Sequence, residues 1–499
     1  MSLKKLAGQT MWYGVSNIAA RMLTYLLTPY LAYTLTGETG RYIIGQYGYI
    51  YTLFPIMNVL YTYGMETTFF RYSKTEDNKA LYNTQTSAML FTTLLFSLCL
   101  FLFRDSAAEF AQLGEHTEYV GWCAAIIGLD ALSALPFAKL RNDNRPRVYA
   151  LTKVVGIIIF VVSIVFLFSF GDNIAAANAG GAFARWYHYH YGIGFILFAN
   201  VLQAAVTLLL LFKGWKDYKP RIDTALLKKI LVYGFPILIA GFAGQINDTL
   251  NRVMFMELSP ATDTENVKAI GSFTMALRLA VLINLVIQAF KMAAEPFFFS
   301  IAQDKDARPT YARVMKWFVI VMALMFLNVT LYMDIWRLFI GEHTQAIHLV
   351  PVMLLSYIFL GIYYNLTVWY KLTDRTYFGT YIMVIGSVVT IVFNWLLIPV
   401  WGYNACAWGT LLCYAVMMLL SFMWGQKYYP IPYEVSKMGR YLVVMLLLYA
   451  IQAGISKIVD MPLFRIATGT VLFGAYLFYI LKQEKQELRK FPVVGKFIK

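Results

Sequence analysis

The chain has 499 residues, of which 59% are hydrophobic types and only 14% are charged, against about 25% charged in an ordinary soluble domain. Mean hydropathy is +0.58, which excludes a water-soluble enzyme. The net charge of +15 lies in short segments between apolar runs, so it reads as membrane topology and not as a nucleic-acid surface.

A spanning helix needs about 20 mostly apolar residues. In chain order, fourteen such runs are predicted, over roughly 10–34, 43–64, 82–103, 119–138, 150–170, 191–212, 230–256, 271–300, 311–333, 346–370, 376–400, 403–426, 441–459 and 463–481. The segments between them are short, so the fold class is all-α and polytopic, with no sizeable soluble domain. The first run is long and contains Arg21, unlike a cleavable signal peptide.

Loop charge tests this count. With a cytoplasmic N-terminus, the inside segments hold 31 of the 42 basic residues and the outside loops hold seven. The alternation persists through every loop, which a wrong number of spans would break. Both termini are expected in the cytoplasm.

The two halves share a weak pattern. Ile44-Gly45 opens the second run, Asn58 follows, and the run ends at Glu66; Ile270-Gly271, Asn284 and Glu295 repeat that order in the eighth run. Lys-Lys precedes Tyr13-Gly14 and again Tyr233-Gly234. The period is about 220 residues, or six spans, so the repeats are parallel. This predicts an N-terminal lobe over 1–215 and a C-terminal lobe over 216–430 around a central cavity. Residues 431–499 would add two helices and a basic tail.

Seven ionisable residues fall inside runs: Arg21, Arg252, Arg278, Lys291, Asp130, Asp248 and Glu295. Each costs about 2.5–3.5 kcal/mol at the bilayer centre on insertion scales, so each should face a cavity or a partner. Arg21 and Arg278 have no acid within a helical turn and are the candidates for binding an anion, with Arg252 and Lys291 as further substrate-binding candidates. Asp248 and Arg252, and Lys291 and Glu295, are spaced i, i+4; each pair either neutralises itself or forms a relay that opens on substrate or cation binding. Asp130 stands alone, as a protonated cavity acid, a cation site or a partner for Arg21. Glu66 and Arg71 read as an interfacial pair.

Span amides at Asn17, Asn58, Gln203, Gln245, Asn247, Asn284, Gln288 and Asn394 serve either as packing glue or as sugar ligands. The four cysteines lie in apolar runs without a CxxC, and His188 and His190 lack further ligands nearby, so neither a disulfide framework nor a metal site is expected. No GxSxG, Walker A, HExxH or dinucleotide fingerprint stands in a credible context. No catalytic residue and no cofactor is therefore expected. Work would come from a coupling ion, H+ or Na+, from the membrane potential, or from a substrate gradient.

Four stretches resemble one family. They are Lys4-Lys-Leu-Ala-Gly-Gln-Thr-Met-Trp-Tyr-Gly14 with Arg21 and Pro29, Gly64-Met-Glu-Thr-Thr-Phe-Phe-Arg71, Leu135-Pro-Phe-Ala-Lys-Leu-Arg141, and Ile398-Pro-Val-Trp-Gly-Tyr-Asn-Ala-Cys-Ala407. In this order they resemble the Wzx-type oligosaccharide flippases of the MOP superfamily, which also holds the lipid II flippase and the MATE antiporters. Cys406 departs from the family's usual small residue. The resemblance implies movement of a polyprenyl-diphosphate-linked oligosaccharide across the bacterial inner membrane, with membrane lipids and a polysaccharide polymerase as partners. Competing readings are a cation-coupled MATE-type multidrug antiporter, a lipid II flippase, a non-transporting scaffold and a membrane glycosyltransferase.

Overall fold

A computed structural model describes residues 19, 21–216, 218–302, 304, 306–373 and 375–489. Residues 1–18, with Asn17, and the side chains of Asn247, Asp248 and Glu295 lie outside the described residues. Among those described, all regular structure is helical. The chain divides into two compact units, residues up to Thr274 with Ile391–Cys406, and Met275–Thr390 with Ala407 onward.

The first unit contains α1 (21–34), α2 (Gly37–Thr62), α3 (Met65–Tyr72), α4 (Asn78–Leu102), α5 (Arg104–Phe110), α6 (Glu118–Asn142), α7 (Pro146–Ala177), α8 (Ala182–Tyr189), α9 (Ile193–Leu210), α10 (Phe212–Trp215) and α11 (Thr224–Leu258). α12 (Asp263–Ser300) begins in it. The second unit contains α13 (Ala307–Leu331), α14 (Met333–Ile340), α15 (Val350–Leu366), α16 (Val368–Leu372), most of α17 (Tyr377–Trp401) and α18 (Tyr403–Tyr428), then α19 (Val435–Ile458), α20 (Pro462–Gln483) and α21 (Lys485–Leu488).

Eleven helices among the described residues are long and apolar enough to cross a membrane. Of the three remaining expected runs, the first starts outside the described residues. The other two form the continuous helices α2 and α11, of 26 and 35 residues. α2 carries Tyr42, Tyr47, Tyr49, Tyr51 and Tyr61, whose hydroxyls depress its hydropathy without preventing burial of Tyr47, Tyr49 and Tyr61. The protein is a polytopic all-α membrane protein, consistent with about fourteen spans.

In the first unit α6 is central, packing on α4, α9 and α2, while α7 packs on α9. Lipid tails are as apolar as leucine, so such contacts depend on close approach and not on hydrophobic burial. Gly156 of α7 illustrates this, since a Cβ there would lie 2.6 Å from Thr207 Oγ1 of α9. Asp77 and Asp223 cap α4 and α11 through Ala80 N (2.8 Å) and Leu226 N (3.0 Å). In the second unit α13 is the hub, packing on α15, α19 and α20.

Four ion pairs of the first unit lie at the two ends of α2. At its start, Glu38 meets Arg41 and Lys268, two residues whose charge pattern places them on one side. Beyond its other end, Glu66 meets Arg141, and Glu76 meets Lys229. Every one of these pairs joins residues expected on the same face of the membrane.

The loop before α9 holds an aromatic box. Tyr119 Oη lies 3.1 Å from His190 Nδ1, and the rings of His116, Trp122, Trp186 and Tyr189 surround that imidazole. Burial lowers the basicity of His190 below the ordinary value of 6.5, opposed by Glu118 and reinforced by His116. A base whose folded-state pKa is depressed stabilises the fold fully above pH 6.5, and that contribution is lost as pH falls through the folded value. Thermal midpoints between pH 8 and pH 5 are therefore expected to fall less steeply in His190→Gln than in the parent chain. Equal slopes would contradict this.

Candidate functional site

The helical period places polar side chains on inward faces of three helices in the first unit. On α6, Asp130, Ser133, Phe137 and Arg141 recur at three- and four-residue steps; on α7, Tyr149, Lys153 and Ile157 do so; on α9, Gln203 and Thr207. Together with Asn58 and Thr62 of α2, Glu66 of α3 and Ile237 of α11, they line a cavity of about 460 Å³. A break in the backbone shapes one wall. Tyr63 (φ 30°) and Gly64 (φ 75°) end α2 and restart the chain as α3, which carries Glu66 to the cavity. Glycine suits the left-handed conformation at 64, and a Cβ there would come within 3.2 Å of Gly234 O.

Four charges face this space. Glu66 pairs with Arg141. The Arg141 guanidinium also lies 5.0 Å from the Phe70 ring centroid and 5.7 Å from that of Tyr149. Lys153 Nζ sits 4.5 Å from the Phe137 ring centroid and within electrostatic reach of Asp130. Asp130 is exposed to the cavity that it lines.

Asp130 thus faces Lys153, and among the described residues it makes no ion pair with Arg21. Glu66 pairs with Arg141 and not with the expected Arg71, whose guanidinium lies 6.0 Å from the Tyr233 ring. Arg21 is exposed on α1, and among the described residues no carboxylate pairs with it. Arg252, on α11, is half-buried and within electrostatic reach of Cys406, whose Sγ contacts Asn251 O at 3.3 Å. Arg278 is half-buried on α12, in the second unit. Lys291, also in the second unit, lies 4.4 Å from the Tyr364 ring centroid beside a small crevice of about 20 Å³.

Two cations of the helical interior, one half-buried and one fully buried, were hidden in the sequence because they lie close to span ends and read as loop charge. One is Lys153. The other is Lys316 on α13, whose side chain is 1% exposed. Its ammonium meets Glu487 (2.9 Å), Glu484 (3.0 Å) and Glu434 (3.4 Å). Lys437 (2.7 Å) and Tyr441 Oη (2.5 Å) complete the shell of Glu484. Burial alone would raise the Glu484 carboxyl, but hydrogen bonds from Lys437, Tyr441 and Lys316 hold it below the ordinary value. This cluster joins α13 to the C-terminal helices.

The lipid II flippase MurJ, in an inward closed conformation, superposes with a TM-score of 0.71 at 13% identity, covering 95% of this chain and 99% of its own. An inward-facing multidrug resistance MATE family transporter of the MOP superfamily gives 0.57 at 14% identity, covering 87% of this chain and 96% of its own. A Vibrio cholerae MATE transporter gives 0.54 at 13% identity, covering 85% and 96%. At such identities the likeness establishes the fold alone, which this chain shares with those flippase and transporter structures. Among curated protein sequences none matches. Residues 6–302, more than half of the chain, match the family described as polysaccharide biosynthesis protein. The chain belongs to the polysaccharide biosynthesis protein family.

Proposed function

We propose that this protein flips a polyprenyl-diphosphate-linked oligosaccharide from the cytoplasmic to the periplasmic leaflet of a bacterial inner membrane, for assembly of a surface polysaccharide. The observation that carries the reading is the cavity of the first unit, where charges and amides stand inside an apolar bundle, in a chain of the polysaccharide biosynthesis family. Buried ionisable groups are costly in a membrane and are kept where a polar substrate passes. No covalent step is needed, since alternating exposure of the head group moves it. Arg21 and Arg278 are proposed to meet the diphosphate, Arg252 and Lys291 to assist, and both termini to lie in the cytoplasm.

A strain lacking the gene is expected to accumulate lipid-linked oligosaccharide accessible only from the cytoplasmic side. Arg21→Ala is expected to reproduce that accumulation while inserting at the parent level, because a guanidinium aimed at phosphate has no substitute in alanine. Normal surface glycan in the deletion strain would overturn the reading. Normal export by Arg21→Ala would remove only that residue from it.

A further inference from the structure

The charges of the first-unit cavity are not those of a phosphate site. Glu66 and Asp130 oppose Arg141 and Lys153, so the formal sum is zero. One of the two cations is already paired with Glu66. A diphosphate presents only acceptor oxygens and negative charge, so Asp130 would repel it across a short, poorly screened gap.

Unused hydrogen-bonding capacity points the same way. Among the described residues, Asn58, Asp130, Lys153 and Gln203 spend none of their side-chain hydrogen-bonding capacity on protein partners, and Arg141 Nε is buried without a partner. The carboxylate only accepts, the ammonium and guanidinium only donate, and the amides do both. A ligand that fills all of them must carry interspersed donors and acceptors, which is the character of sugar hydroxyls. Phe137 and Tyr149 are buried in the cavity wall, where their rings hold Lys153 and Arg141 in place for such a ligand. The volume, about 460 Å³, falls within the range of about 300–1,000 Å³ usual for ligand pockets.

We infer that this cavity is a glycan subsite, which grips sugar residues of the head group through Asp130, Lys153, Asn58 and Gln203 and leaves the diphosphate to other cations. The inference rests on the flippase reading and sharpens it, because it makes the first unit the part of the protein that distinguishes one glycan from another.

The test uses the full chain in lipid nanodiscs and two probes. One is the host's own repeat-unit oligosaccharide, released from its lipid by mild acid; the other is polyprenyl diphosphate bearing no sugar. Binding is followed by calorimetry for the parent chain, Asp130→Asn, Lys153→Met and Gln203→Ala, with thermal midpoints to confirm folding. Loss of one charged hydrogen-bonding group should weaken oligosaccharide binding at least about tenfold, with the diphosphate affinity unchanged. A parallel loss for both probes, no loss for the oligosaccharide, or no oligosaccharide binding by the parent chain would overturn the subsite. If the deletion strain still accumulates inward-facing lipid-linked glycan, the flippase reading survives such a failure. If it does not, the flippase reading falls first.

Discussion

Lys316→Met is expected to lower the stability of the second unit by about 3–5 kcal/mol, the cost of removing one partner from a buried ion pair. Glu484, itself 1% exposed, would keep Lys437 and Tyr441 but lose its central cation, and among the described residues Glu487 would retain Trp317 Nε1 (3.0 Å) and the distant Arg313 (4.0 Å). Thermal unfolding in detergent, read by thiol labelling of the buried Cys413, measures the loss. Adding Glu484→Gln to Lys316→Met should recover part of it, because an amide needs no counter-charge. A midpoint unchanged in the single variant would show that the cluster contributes nothing.

The second large effect belongs to the opposite end of α20. Arg465 holds Asp334 through two bonds, Nε to Oδ2 at 2.8 Å and Nη2 to Oδ1 at 2.9 Å, with both side chains mostly buried. Its carbonyl also accepts from Gln452 Nε2 at 2.8 Å. A two-pronged guanidinium–carboxylate pair is stronger than a point contact, and Arg465→Ala is expected to cost about 1.5–3 kcal/mol. Arg465→Asp combined with Asp334→Arg should regain a measurable part, whereas either reversal alone places like charges together. If the double variant is no better than the worse single one, the pairing is not what fastens this end.

Much of this was legible in the sequence, for reasons that particular residues make clear. Apolar runs fix spanning helices because the bilayer admits no unpaired backbone, and Arg41 and Lys268, read as loop charge of one face, share one carboxylate. Asp130 was visible as a lone acid within a span. Its neighbour was not, since Lys153 follows a turn and stands seven residues into α7, where hydropathy reads a lysine as loop. Glu66 and Arg71 looked paired by proximity, yet five residues on a helix is about 140° around its axis, so the two face different ways and Arg141 of α6 takes the role. Lys316 was hidden for a related reason, as its carboxylates come from the far end of the chain.

That distance has a consequence for biosynthesis. Lys316 precedes Glu484 by 168 residues and Glu487 by 171. While the ribosome is still translating the last two helices, the ammonium on α13 has no Glu484 or Glu487 to meet. Consolidation of this half must therefore wait until Glu484 and Glu487 have been made, and products terminated before them would leave the buried lysine with Glu434 as its one carboxylate among the described residues, a mark by which membrane proteases could tell them from longer chains.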